Sequence, residues 1–318
     1  MLAPFIALTD WRWFEYLRDQ VPDGRVDEAN FWSPRSTRPL KHFTPGEPVF
    51  LRLKKPRNAI AGYGFFAHFT ALSLDAAWDW FGWKNGDPDR ASFLQRIGEY
   101  RRIDLLDSRT ERTPLGCTIL RGLVLWPETR WIPWGTDEGW APNIVRGKAE
   151  TDEARASRLL AEIQLDGLTE PEEFAPDFEP LEADERRLVE SLEVAREGQG
   201  AFRARLLDAY GRRCAITGER TEPVLDAAHI QPYLGPRSNH VRNGMLLTKE
   251  FHTLFDRGYV AVEPESHVVR VSGRLRQDFQ NGRRYYQYDG RELSTLPGVA
   301  ERPSDAALEW HLERRFLG

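Results

Sequence analysis

Ten of the eleven tryptophans fall within the first 140 residues, whereas the His and Asn residues best suited to chemistry fall after position 225. A chain of 318 residues that separates its large aromatic side chains from its reactive ones in this way is expected to fold as two domains with different jobs. The charge pattern marks the join. Residues 151–200 carry 5 Lys and Arg against 15 Asp and Glu, while residues 1–150 carry 21 against 19 and residues 201–318 carry 18 against 15. The net charge of −5 therefore comes from an acidic middle between two mildly basic ends, and it does not exclude a nucleic-acid partner.

A hydrophobic content of 41%, with 12% aromatic residues, is that of a water-soluble globular chain. It holds no signal-peptide pattern and no apolar run long enough to span a bilayer, so the expected location is the cytoplasm, with no membrane partner. Cys117 and Cys214 are the only cysteines, and they lie far apart. Two such thiols supply neither a disulfide framework nor a four-thiolate zinc centre.

In the N-terminal part, Pro48–Leu53, Ala59–Ala67 and Cys117–Leu125 are rich in β-branched and aromatic residues and end at Pro or Gly, which predicts strands. Helices are predicted over Trp11–Gln20, Leu74–Trp80 and Ala91–Tyr100, which together suggest a small β-barrel decorated by helices. The acidic middle has helical apolar spacing at Ala154–Ile163 and Arg187–Ala195, separated by a Pro- and Glu-rich loop at Thr169–Pro180. It reads as a helical linker over residues 149–200.

The C-terminal part is more informative. A helix over Phe202–Tyr210 precedes Cys214-Ala-Ile-Thr-Gly218, then Val224-Leu-Asp-Ala-Ala-His-Ile230, then His240-Val-Arg-Asn-Gly-Met-Leu-Leu247, then Phe251-His-Thr-Leu-Phe-Asp-Arg-Gly258. This order, a strand with His, a loop with Asn and a helix with His, resembles the HNH endonucleases of the ββα-metal fold. The resemblance covers residues 201–318. It implies an α+β fold for the chain and a metal-dependent phosphodiester hydrolase for this domain.

The chemistry accounts for those residue types. Hydrolysing a phosphodiester needs an activated water and a cation for the charge that develops on the phosphate and on the leaving oxygen. His229 is the candidate general base, because neutral imidazole accepts a proton near pH 7. Asn243 is expected to orient the His229 backbone or the substrate phosphate, as the resemblance implies for the family's Asn, although Asn243-Gly244 also reads as an ordinary tight turn. His252 is expected to bind one Mg²⁺ or Mn²⁺, and Asp256, four residues on, shares its helix face and is a second candidate ligand. The family often has Asp or His directly before the base, where this chain has Ala228. Asp226, on the same side of the strand as Ala228 and opposite to His229, is the expected substitute.

Where many HNH proteins have a second cysteine for structural zinc, Thr217 stands three residues after Cys214, so no zinc site is expected and Cys214 reads as a core residue. His267 and Asn281–Tyr288 read as a hairpin completing the domain, with Arg283 and Arg284 as candidate phosphate contacts.

Asn30-Phe-Trp-Ser33, Gly62–Phe66 and Trp78-Asp-Trp-Phe-Gly-Trp83 loosely resemble PUA-like modules of the EVE or ASCH kind over residues 1–148. Proteins with such a reader before an HNH domain are bacterial restriction enzymes that cut DNA bearing modified bases. That likeness implies a pocket in which aromatic faces sandwich a flipped modified cytosine, with Trp32, Trp80 and Trp83 as the cage and Ser33 as a polar contact. Cutting both strands of a duplex would call for a homodimer. Two other readings remain open from sequence: a nuclease selecting unmodified or phosphorothioate DNA or RNA, and a DNA-binding protein whose HNH fold no longer catalyses.

Overall fold

Strand β1 (Phe5–Thr9) stops at Asp10, whose carboxylate accepts hydrogen bonds from the backbone N–H groups of Arg12 and Trp13 and so caps helix α1 (Trp11–Gln20). The computed structural model describes residues 3–34, 37–39, 43–103, 114–167, 177–184 and 197–318. The chain divides into two compact units, Met1–Pro171 and Glu172–Gly318.

The first unit continues through β2 (Arg25–Ser33), β3 (Pro48–Leu53), β4 (Ala59–Leu72), α2 (Leu74–Phe81), α3 (Arg90–Arg101) and β5 (Leu115–Leu125). Two short strands, β6 (Ile132–Pro133) and β7 (Gly147–Ala149), and helix α4 (Glu153–Leu165) complete it. The strands form one seven-stranded sheet in the order β2-β5-β4-β3-β1-β7, with β6 paired to β4. Only β1 and β3 among these pairs run parallel.

Both faces of this sheet are covered, because alternate residues of each strand enter different cores. Phe5, Ala7, Val49 and Leu51 pack on one side with Trp13, Phe14 and Leu17 of α1. Ile6 and Phe50 pack on the other with Trp126, Trp134, Trp140 and, from α4, Leu159 and Ile163. Each of the larger of these side chains contributes about 1.5–3 kcal/mol by leaving water. Helix α4 is the first helix expected within 149–200, and it completes a core of the first unit. The second expected helix, Arg187–Ala195, and most of the expected loop at Thr169–Pro180 lie outside the described residues.

The second unit contains α5 (Gln199–Ala209), the antiparallel pair β8 (Leu225–His229) and β9 (Gly244–Thr248), and α6 (Lys249–Asp256) directly after it. This is the expected strand, strand, helix order. It continues with the hairpin β10 (Val260–Val262) and β11 (Val269–Val271), then α7 (Arg274–Phe279) and α8 (Asp305–Arg314). The hairpin therefore lies earlier than expected. His267 sits in its turn at a φ of 51°, whereas Asn281–Tyr288 forms turns ending in a short 3-10 helix, Tyr286–Tyr288. The valines of β10 and β11 supply buried β-branched residues that the Asn281–Tyr288 stretch lacks. No helix among the described residues is long and apolar enough to cross a membrane.

Candidate functional site

The β8–β9 pair is locked onto α5 at one glycine. His229 faces Gly244 across the ladder, and a Cβ at Gly244 would stand 2.6 Å from both Leu206 Cδ1 and Phe202 Cζ of α5. This close approach brings the Phe202 ring flat against the His229 ring, with centroids 4.1 Å apart and planes 11° apart. The edge of the His229 ring is fixed as well, because its Nε2 lies 3.1 Å from Asn239 Oδ1. Asn239 in turn donates from Nδ2 to the Glu197 carbonyl at 2.6 Å.

Helix α6 turns its apolar side inward, burying Phe251 and Phe255, which leaves His252 and Asp256 one step round the helix. His252 Nδ1 is 2.8 Å from Asp226 Oδ2, and its Nε2 is 3.3 Å from Asp256 Oδ2. Arg203 of α5 reaches Asp226 Oδ1 at 3.3 Å. Burial pushes the Asp226 carboxyl up, but the His252 hydrogen bond and the Arg203 charge outweigh it and leave the group below its ordinary value. For His252, burial pulls the imidazole down while the Asp226 hydrogen bond and the Asp256 charge push it further up, so the ring holds its proton above its ordinary range.

Asp226, His229, His252 and Asp256 line one cavity of about 470 Å³, together with Arg203 and Arg315. Asp226 and His229, expected on opposite sides of β8, both border this space, Asp226 near the start of the strand and His229 at its end. Asn243 does not line it. This residue is fully buried; its Oδ1 accepts from the Gln231 N–H at 2.9 Å, and its Nδ2 donates to the carbonyls of Gln231 and Ser238 at 3.0 and 2.9 Å. Its own carbonyl accepts from Ile230 N–H at 2.9 Å. Of the two roles expected for Asn243, fastening the chain beside His229 is the one its bonds perform, and touching the phosphate is not.

The expected phosphate contacts also fall elsewhere. Arg284 is ion-paired with Glu250 and lies over the Tyr285 ring, Arg283 is exposed, and neither borders the cavity. The arginines that do, Arg203 and Arg315, come from α5 and from the end of α8, which sequence motifs did not single out. Cys214 is buried, and its sulfur accepts from the backbone N–H groups of Thr217 and Thr248 at 3.4 Å.

Residues 214–263 match the family model of the HNH endonucleases. The second unit thus carries an HNH segment, and the ββα arrangement of β8, β9 and α6 lies inside it. Among the described residues, no three His, Cys, Asp or Glu side chains are grouped so as to enclose a metal ion. The HNH cavity is instead bordered by the carboxylates of Asp226 and Asp256 and the imidazoles of His229 and His252. That donor chemistry fits a hard divalent cation, which keeps several waters and needs only one or two protein carboxylates beside phosphate oxygens.

The first unit has its own cavity, of about 660 Å³, lined by Trp13, Phe31, Trp32, Ser33, Lys54 and Tyr100 among others. Trp32 is held by its Nε1–H bond to the Asn85 carbonyl at 2.9 Å and by the Arg96 guanidinium 4.9 Å over its ring. Two of the four expected pocket residues, Trp32 and Ser33, border this space. Trp80 and Trp83 do not: Trp80 is half-buried on α2, and Trp83 packs against the core around Trp13 and Phe14, the usual use of so large an apolar ring.

No curated protein matches the chain in sequence. Two crystal structures of an ASCH protein from Zymomonas mobilis, one of them a point mutant, superpose with TM-scores of 0.30 and 0.31 at 13% and 12% identity, covering 49% of this chain and 94% and 96% of theirs. A modification-dependent restriction endonuclease, TagI, superposes with a TM-score of 0.27 at 12% identity, covering 98% of this chain and 81% of its own.

Proposed function

We propose that the chain is a metal-dependent DNA endonuclease whose HNH unit cuts and whose N-terminal unit selects DNA carrying modified cytosine. One observation carries the hydrolytic part. His229 and the Asp226–His252–Asp256 chain border the same cavity, and they lie within the segment that matches the HNH endonucleases.

In this reading His229 takes a proton from a water whose oxygen bonds to phosphorus as the bond to the leaving sugar oxygen breaks, and that oxygen then collects a proton from solvent. Asp226, His252 and Asp256 would hold a Mg²⁺ or Mn²⁺ ion. Such an ion, when bound, supplies charge stabilisation for the phosphate and leaving oxygens. Arg203 and Arg315 add positive charge for the DNA backbone, and Asn243 keeps the loop after β8 in register. Asp226→Asn is expected to raise the Mn²⁺ concentration needed for half-maximal cleavage about 10- to 100-fold; an unchanged metal requirement removes Asp226 from the cation site.

Selection is assigned to the cavity of the first unit. Its volume lies within the range of small-ligand sites, Phe31 and Trp32 offer stacking surface, and Ser33 and Lys54 offer polar contacts for a flipped base. One cavity of the HNH kind per chain cuts one strand, so two protomers are proposed for a double-strand break. The test is digestion of matched plasmids with and without 5-substituted cytosine in Mg²⁺ or Mn²⁺. Preferential cutting of the modified plasmid is expected, and equal cutting of both rejects the selection by modification.

A further inference from the structure

We infer that Asn239, which lies outside the HNH motif pattern, is the residue that positions the candidate base by fixing which nitrogen of His229 carries the proton. The inference rests on the reading of His229 as general base and adds a positioning residue to it.

Asn239 is almost fully buried, and its Nδ2 donates to the Glu197 carbonyl, an oxygen that can only accept. That bond settles which end of the amide is oxygen, so the atom 3.1 Å from His229 Nε2 is Oδ1, again an acceptor only. For the contact to be a hydrogen bond, Nε2 must bear the hydrogen. In the neutral ring the lone pair then sits on Nδ1, which becomes the nitrogen that accepts a proton. Because a ring flip would put a carbon against Asn239 Oδ1, the same bond also chooses between the two ring orientations, while Phe202 stacked at 4.1 Å fixes the plane.

Asn243, the motif asparagine, makes none of these contacts. Its amide is spent on Gln231 and Ser238, and it steadies the backbone rather than the ring. The two asparagines thus divide the work: one fastens the loop and the other orients the base.

The decisive measurement reads the ring in the wild-type protein. Long-range ¹H–¹⁵N correlation spectra of the ¹⁵N-histidine-labelled full chain at pH 7.5, with His229 assigned through the His229→Gln protein, are expected to show one neutral tautomer with hydrogen on Nε2. A His229 found with hydrogen on Nδ1 overturns the inference. A second arm uses Asn239→Leu and Asn239→Asp on plasmid DNA with Mn²⁺. Asn239→Leu, which removes the acceptor, is expected to lower kcat about 100-fold with little change in KM, and Asn239→Asp, which restores an acceptor to Nε2–H, to recover part of the loss. If Asn239→Leu cuts at the wild-type rate while His229→Ala is inactive, the positioning role fails and the base survives. If His229→Ala itself cuts at the wild-type rate, it is the base assignment that fails.

Discussion

His311 shows how a single buried ring writes itself into the pH response. Its Nε2–H donates to the Phe255 carbonyl at 3.0 Å and its ring stacks on Phe255 at 3.7 Å, so burial holds the imidazole down at about 4 against an ordinary 6.5. In the unfolded chain the ring takes up its proton near pH 6.5, and in the folded chain only near pH 4. The unfolded state therefore binds more protons throughout that window, and stability is lost as pH falls through it. Linkage over this shift amounts to about 2 kcal/mol between pH 8 and pH 5. Urea unfolding at the two pH values should show that loss, with a smaller loss in His311→Gln; an equal loss in the variant means that another group carries the acid sensitivity. Asn243 makes a different prediction at the same scale. Asn243→Ala leaves the Gln231 N–H and two carbonyls buried without their partner, and stability should fall by about 3 kcal/mol or more. A loss under 1 kcal/mol in denaturant titration would place the amide outside the structural role described here.

At the scale of elements, the site is a joint between α5, the β8–β9 pair and α6, and Gly244 sets the closeness of that joint. Gly244→Ala places a methyl 2.6 Å from Phe202 and Leu206. The expected result is a loss of about 1–3 kcal/mol in thermal or urea unfolding. Cleavage should slow about 10- to 100-fold as the Phe202 ring shifts under His229; an alanine variant with full stability and rate contradicts the joint. The same elements show what a one-dimensional reading can reach. The order of β8, β9 and α6 was legible, because the spacing of His229, Asn243 and His252 is what carries the resemblance to the HNH endonucleases. Asn239 was not, since Gly-Pro-Arg-Ser-Asn is ordinary turn composition and its bond to His229 spans ten residues. Arg203 was hidden because a helix's apolar pattern says nothing about which of its arginines meets a strand 23 residues away. In the first unit, the strands at Pro48–Leu53, Ala59 onward and up to Leu125 followed from β-rich composition, whereas β1 and β2 went unread, β2 because Arg25-Val-Asp-Glu28 has the polar look of a loop. Trp32 was separable from Trp80 and Trp83 only by the fold, since residue type alone does not tell a cavity wall from a core.

The whole molecule divides its residues as its composition does. Its tryptophan-rich part builds a two-faced sheet with a cavity of its own, and the part that carries His229 and His252 builds the HNH cavity, each within its own compact unit. The full chain is expected to act as a hydrolase only when His229 and a divalent cation are both present. The most direct measurement is cleavage of modified plasmid by purified full-length protein in Mn²⁺, in EDTA, and as the His229→Ala variant, with folding of the variant checked by circular dichroism. Nicked or linear DNA from the wild type in Mn²⁺, and intact DNA in the other two reactions, is the predicted result. Cleavage by the folded His229→Ala protein at the wild-type rate would contradict the claim that this imidazole activates the water.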